Sequence, residues 1–248
     1  MIRALVLLAV LLGIWELYCA LSGIDPLVLP APHEIARSLW EDRALLWDNL
    51  LVTAGEVVLG IALAALAGLA CATAVHLSPT LRRAVYPLLV ASQTVPIPVI
   101  AALLVVWLGF DLAPKLVIIA LVSFFPIVVT TLDALERIDP DQGKLMAALG
   151  VPRLRAFRLA EAPAALPGVF SGAKIAVAVA VIGAVFAEQA GSQDGLGHLI
   201  QQAIPQLLTA RAYAAVVVLS LLAVSLFGLL ALAERRLLPW ARPPGGTA

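Results

Sequence analysis

Apolar and polar positions fall in long alternating blocks along this chain. Residues 4–21, 50–75, 85–109, 116–132, 169–187 and 212–232 are predominantly apolar. Each block has roughly the 17–25 residues that a helix needs to cross a bilayer. None carries the single apolar stripe of a helix lying on a soluble core. The pattern predicts an all-α, polytopic membrane protein with about six transmembrane helices. Small residues recur four apart, as at Gly60, Ala64 and Gly68 or at Gly168 and Gly172. That spacing lets helices approach closely, and generic close packing is the simplest account of it.

The polar blocks punctuate this pattern. Met1-Ile2-Arg3 precedes the first apolar block as it would in a signal peptide. Trp15 and Glu16 near the block's end, and the lack of a small-x-small cleavage site, favour an uncleaved first span. Pro26, Pro30 and Pro32 follow, and from Pro32 the chain reads as an amphipathic helix. Leu39, Trp40, Leu46 and Trp47 are placed there to lie at the membrane interface. Residues 237–248 read as a loose tail. The expected organisation is a first span and outer amphipathic segment (1–48), a transmembrane core (49–236) with a polar loop at 137–168, and the tail (237–248).

The most distinctive polar block is residues 144–168, with Lys144, Arg153, Arg155, Arg158 and Glu161 between two spans. Gly150 after Leu145-Met146-Ala147-Ala148-Leu149 predicts a helix end, since glycine takes the left-handed conformation cheaply. Val151-Pro152 restarts the chain, and residues 154–162 predict a second short amphipathic helix. A helix–turn–helix loop between spans offers a soluble partner something to grip.

Composition agrees: 62% hydrophobic, 13% charged and a mean hydropathy of +1.02, against about 45–50% and 25% for soluble domains. Zero net charge gives no case for nucleic acid. Cys19 and Cys71 both lie in apolar blocks, where a thiol behaves as a small hydrophobe, so no disulfide is expected. With the N-terminus inside, eleven Lys and Arg fall on inner segments and four on outer ones, Lys174 lying within span five. The bias puts both termini and the polar loop in the cytoplasm.

Catalytic signatures are missing. Residues 168–174, GVFSGAK, only imitate a phosphate-binding loop, so the chain should bind neither ATP nor its magnesium. His33, His76 and His198 are scattered, without metal-ligand spacing. The chain reads as a non-catalytic transport component.

Polar residues inside the spans are the candidates for a path. Ser92-Gln93-Thr94-Val95-Pro96-Ile97-Pro98 predicts a bent span three, with Gln93 and Thr94 beside the bend. They either line a path or pack a kink. Phe124-Phe125-Pro126 offers a stacking face or core packing. Glu56, Lys174 and Glu188 are costly in a span, at about 2.5–3.5 kcal/mol near its centre. Glu56 and Glu188 either reach the outer headgroups or contact solute, and Lys174 can snorkel inward. The path candidates are Gln93, Thr94, Pro96, Phe125, Glu188 and Gln189.

Residues 144–168 resemble the coupling loop, or EAA loop, of ATP-binding-cassette importer permeases. Gly150 falls on the motif's glycine and Pro163 on its proline, while Lys144-Leu145-Met146 replaces the initial Glu-Ala-Ala. The resemblance covers about residues 50–235. It implies the type I importer permease fold, with a homodimer of this chain around a central path. It also implies ATPase subunits below, which hold the ATP and Mg, and an extracytoplasmic substrate-binding protein outside. Lys144, Leu145, Met146, Ala147, Ala148, Gly150, Arg153, Arg155, Arg158 and Pro163 would carry coupling to the ATPase. Gly195-Leu196-Gly197 resembles the family's re-entrant outer segment. A passive channel or secondary transporter has no need of such a loop.

Leu29-Pro30-Ala31-Pro32 resembles the nitrate/sulfonate/taurine-type permeases. Residues 93–135 and 171–191 resemble permeases for the pyrimidine precursor of thiamine. The spans show no basic pair for an anion, whereas Gln93, Thr94, Phe125 and Gln189 offer hydrogen bonds and a ring face to a neutral heterocycle. Sulfonate, taurine, nitrate and riboflavin are the alternative solutes.

Overall fold

A computed structural model describes residues 2–241; Met1 and residues 242–248, which include Arg242 and most of the expected tail, lie outside the described residues. Among the described residues eleven α-helices follow one another: α1 (Ile2–Ser22), α2 (Pro32–Glu41), α3 (Arg43–Leu77), α4 (Pro79–Ser92), α5 (Ile97–Leu108), α6 (Leu112–Glu136), α7 (Pro140–Ala148), α8 (Arg153–Ala156), α9 (Ala162–Gly191), α10 (Leu196–Ala203) and α11 (Thr209–Leu237). Among the described residues five helical stretches are long and apolar enough to cross a membrane, and α4 with α5 makes a sixth if the bent pair counts as one span.

The core forms around α6, which packs along α3 on one side and α9 on the other. The small residues noted in the sequence make this sandwich possible. A Cβ at Gly60 would sit 2.4 Å from Ile119, one at Gly68 3.0 Å from Ile127, and one at Gly172 2.1 Å from Thr130 Oγ1. Backbones approach this closely only when one partner lacks a side chain, and dispersion gained at such contacts drives helix association in lipid. Helix α1 stands largely apart. It meets the rest near its C-terminal end, where Trp15 packs at a tilt against Tyr213 and Glu16 bonds His33.

Three expectations change. The outer amphipathic helix ends at Glu41, and α3 begins at Arg43, so Leu46 lies in the core while Trp40 and Trp47 remain exposed. Asp42 holds this corner by accepting from Ser38 Oγ (2.8 Å) and Arg211 Nη2 (2.7 Å). Span three does not merely bend. It breaks after Ser92 and restarts at Ile97 with a 99° change of direction. Pro96 has no N–H to donate and disfavours the helical region at Val95, so the weak point of the span lies here. The second loop helix is not a separate element either, because residues from Arg153 to Gly191 form one continuous 39-residue helix. A π turn at Phe157–Glu161 shifts its register just before Pro163, with the Ala162 amide bonding the Phe157 carbonyl. That wider turn accommodates a residue lacking an N–H. Of the residues expected in the tail, Leu238 is buried and Pro239–Ala241 forms a 3₁₀ turn.

Candidate functional site

The polar loop is the first site. Its helix α7 ends where glycine predicts it. Gly150 has φ +70°, and the Val151 amide donates back to the Met146 carbonyl at 3.0 Å, a Schellman closure. Nothing lies within 4 Å of a Cβ built at Gly150. Lys144 pairs with Asp141 at 2.7 Å, on an exposed surface. Leu145, Leu149, Leu154 and Leu159 are all more than half exposed. Arg155 and Arg158 are exposed and make no ion pair among the described residues. Met146 and Pro163 are half-buried, and Ala148 is exposed. Exposed leucines beside unpaired arginines make an adhesive surface for another protein.

The loop's far side is anchored. Glu161 accepts from Arg153 Nη1, and its other oxygen lies 2.7 Å from His76 Nε2, at the C-terminal end of α3. Phe157 packs at a tilt against His76 with ring centroids 5.9 Å apart and lies on Leu135 and Ala165. Sequence reasoning gave His76, Phe157 and Glu161 no role. Their common signal is a position on the same side of the membrane. Beside the loop a cleft of about 590 Å³ opens between α6 and α9, lined by Thr130, Asp133, Arg137, Gln142 and Ser171 among others.

The break in span three is the second site. Gln93, Thr94, Val95 and Pro96 are exposed on the surface of the single chain. Gln93 and Thr94 make only local hydrogen bonds, to Ser92 and to the Ala91 carbonyl. Phe125 is half-buried and packs with Phe124 against the cluster around Val75 and Val128. Gln189 is half-buried.

Glu188 lies elsewhere. It is fully buried and reaches neither headgroups nor an open surface. Thr53 Oγ1 donates to its Oε1 at 2.6 Å, and the Gly197 amide donates to its Oε2 at 2.5 Å. Glu56 is buried too, and accepts from Lys115 Nζ at 2.7 Å. Lys115, expected in an outer segment, is thus an internal counter-ion; it also donates to Ser192 Oγ at 2.6 Å. Lys174 does not simply snorkel but pairs with Glu234 of α11. Asn49, Thr53 and Glu56 are spaced four and three apart, on one face of α3. That spacing of polar residues at the start of an apolar block was the available signal for the network.

Among the described residues no group of His, Cys, Asp and Glu could hold a metal.

Residues 60–239 match the family model described as "Binding-protein-dependent transport system inner membrane component". The chain is 33% identical over 233 residues to the formylaminopyrimidine transport permease protein ThiX of Halalkalibacterium halodurans, covering 94% of this chain and 93% of the relative. It is 33% identical to the riboflavin transport system permease protein RibX of Chloroflexus aurantiacus, covering 95% and 88%. It is 31% identical to the taurine transport system permease protein TauC of Escherichia coli, covering 94% and 87%. Among solved structures, an amino acid ABC transporter chain superposes with a TM-score of 0.63 at 18% identity, over 80% of this chain and 97% of that one. A chain of the MetNI methionine ABC transporter in an inward-facing conformation gives 0.57 at 19%, over 87% and 99%. These two share the fold.

Proposed function

The chain belongs to the family of binding-protein-dependent transport system inner membrane components, the permeases of ATP-driven importers, and on that premise we propose that two copies of it enclose a path for a pyrimidine precursor of thiamine. Membership displaces the passive-channel and secondary-transporter readings. It makes the chain a multi-pass inner-membrane transport component.

One observation carries the assembly. The chain stops being helical at residues 93–96, inside an apolar block, with those residues exposed. Lipid cannot hydrogen-bond free backbone groups, so such a break is tolerated only against protein or a water-filled cavity. A second copy supplies the protein, and the space between the copies supplies the water. Gln93, Thr94 and Pro96 then face the path. Glu188 is withdrawn from it, and Phe125 and Gln189 stand behind its lining.

The exposed leucines and arginines of α7 and α8 fit a separate ATPase on the cytoplasmic side. That partner would bind ATP and Mg and do the hydrolysis, while a binding protein docks outside. Both termini would lie inside. The solute assignment draws on the relative named for formylaminopyrimidine transport. It also draws on charge. Lys115 and Lys174, the lysines within span helices, are both occupied by carboxylates, so neither is free for a sulfonate.

The test is growth of a thiamine-synthesis mutant on low hydroxymethylpyrimidine, with and without this gene and its transport partners. Growth only with the gene supports the assignment. Equal growth in both strains removes it. Competition of uptake by taurine or riboflavin identifies the alternative solutes.

A further inference from the structure

We propose that Thr53 and Glu188 are positioning residues of a polar lock that seats α10 and joins it to the cytoplasmic loop through one unbroken helix. The inference rests on the reading of the chain as a path-forming permease.

Helix α10 has eight residues, too few to be stable alone. Its entry is held by side chains of two other helices. The amides of Gly195, Leu196 and Gly197 donate to Asn49 Oδ1 (2.7 Å), Thr53 Oγ1 (2.9 Å) and Glu188 Oε2 (2.5 Å). Thr53 Oγ1 in turn donates to Glu188 Oε1 at 2.6 Å, closing the circuit between α3 and α9. Lys115 ties the preceding turn down through Ser192, whose hydroxyl donates to the Asp194 carbonyl at 2.5 Å. Thr53 and Glu188 are wholly buried. A Cβ at Gly195 would lie 2.3 Å from the Glu188 carboxyl carbon, and one at Gly197 2.8 Å from the Val185 backbone. No side chain fits at either position while the lock is closed.

Buried polar circuits of this kind are directional, and they fail together when one member is lost. Apolar contacts with lipid give α10 no comparable preference for its seat. The lock therefore ties the seat of α10 to the spacing of α3 and α9. Glu188 stands near the outer end of the helix that begins at Arg153 in the loop, and those 39 residues span about 58 Å. A tilt imposed on Arg153–Glu161 is carried toward Glu188 along one continuous helix, through the π turn and past Pro163 and Pro167. Parting α9 from α3 breaks the Thr53–Glu188 bond and releases α10.

The test uses the full chain in membranes, with Cys19 and Cys71 replaced by alanine and a reporter Ala203→Cys on the buried face of α10. A membrane-impermeant thiol reagent is applied from outside. Thr53→Val keeps the volume and removes the hydroxyl, and it should speed labelling of the reporter on the order of tenfold or more. Thr53→Ser should restore protection. Glu188→Gln, which keeps one acceptor oxygen, should give a smaller rise and provides a second route if the valine variant inserts poorly. A cysteine at exposed Asp194 should label at the same rate throughout. Unchanged reporter labelling in both the valine and glutamine variants overturns the lock, as does serine failing to restore protection. Labelling requires neither solute nor partners, so a different solute would leave the result standing.

Discussion

Glu161 and His76 join the loop to the C-terminal end of α3: the carboxylate stands 2.7 Å from the imidazole while Arg153 holds its other oxygen. The three groups, 85 residues apart at their extremes, make the loop a rigid extension of the span bundle. Glu161→Ala should leave the chain in the membrane but strip two partners of their acceptor, at a cost of roughly 1–3 kcal/mol to the loop's seating. Substrate-stimulated ATP hydrolysis by the assembled importer should fall, with Glu161→Gln intermediate. Wild-type stimulation in the alanine variant would mean that the anchor has no part in coupling.

Gly150 isolates backbone conformation from packing. Its φ is +70° and a Cβ would meet nothing. Gly150→Val should therefore cost about 1–2 kcal/mol purely as left-handed strain, uncoupling ATP hydrolysis from solute while the protein still inserts. Asparagine, which tolerates that conformation, should retain most coupling. Vesicle transport at the normal rate in the valine variant would refute the role of the turn.

Gly172 presents the opposite case. A Cβ there meets Thr130 Oγ1 at 2.1 Å and the Pro126 carbonyl at 3.0 Å. Gly172→Val should lower thermal stability in detergent by roughly 1–3 kcal/mol, because α6 and α9 must separate. Gly228→Ala, where the added carbon meets nothing, should not lower it. Equal melting of the two variants would contradict the close-packed core.

Asp42 supplies a pH dependence. Burial pushes its carboxyl upward, but hydrogen bonds from Arg211 and Ser38 and the arginine's charge outweigh that and hold it below the usual carboxylate value. A depressed folded value means the contribution to stability is present above the unfolded value, near 3.9, and is lost as pH falls through the folded one. Thermal unfolding of the wild type in detergent should lose stability below about pH 4 more steeply than that of Asp42→Asn. Parallel curves would show that this corner does not titrate with folding.

Topology is accessible to labelling. A cysteine at Arg155 should react only with reagents that reach the cytoplasm, and one at Asp194 only from outside. Reaction of both from one side would overturn the six-span orientation.

The sequence by itself determined the class of the fold and the place of its polar loop between two spans. Block length against bilayer thickness is a local property, and so is a glycine that must end a helix. The six blocks and Gly150 could thus be read directly. Proline announced trouble in span three, but whether Pro96 bends or breaks the helix depends on what covers residues 93–96, which no local pattern contains. The π turn before Pro163 was invisible for a similar reason: it resolves a conflict between one missing N–H and a helix that tertiary packing keeps continuous. The buried charges depended most on tertiary structure. Glu188 looked free to face solute or headgroups because its partners Thr53 and Gly197 sit on other elements. Lys115 looked like an outer residue until Glu56, 59 positions earlier, drew it inside. A charge in a membrane is positioned by whichever partner removes its desolvation cost, and that partner is chosen by the packing of helices remote in sequence.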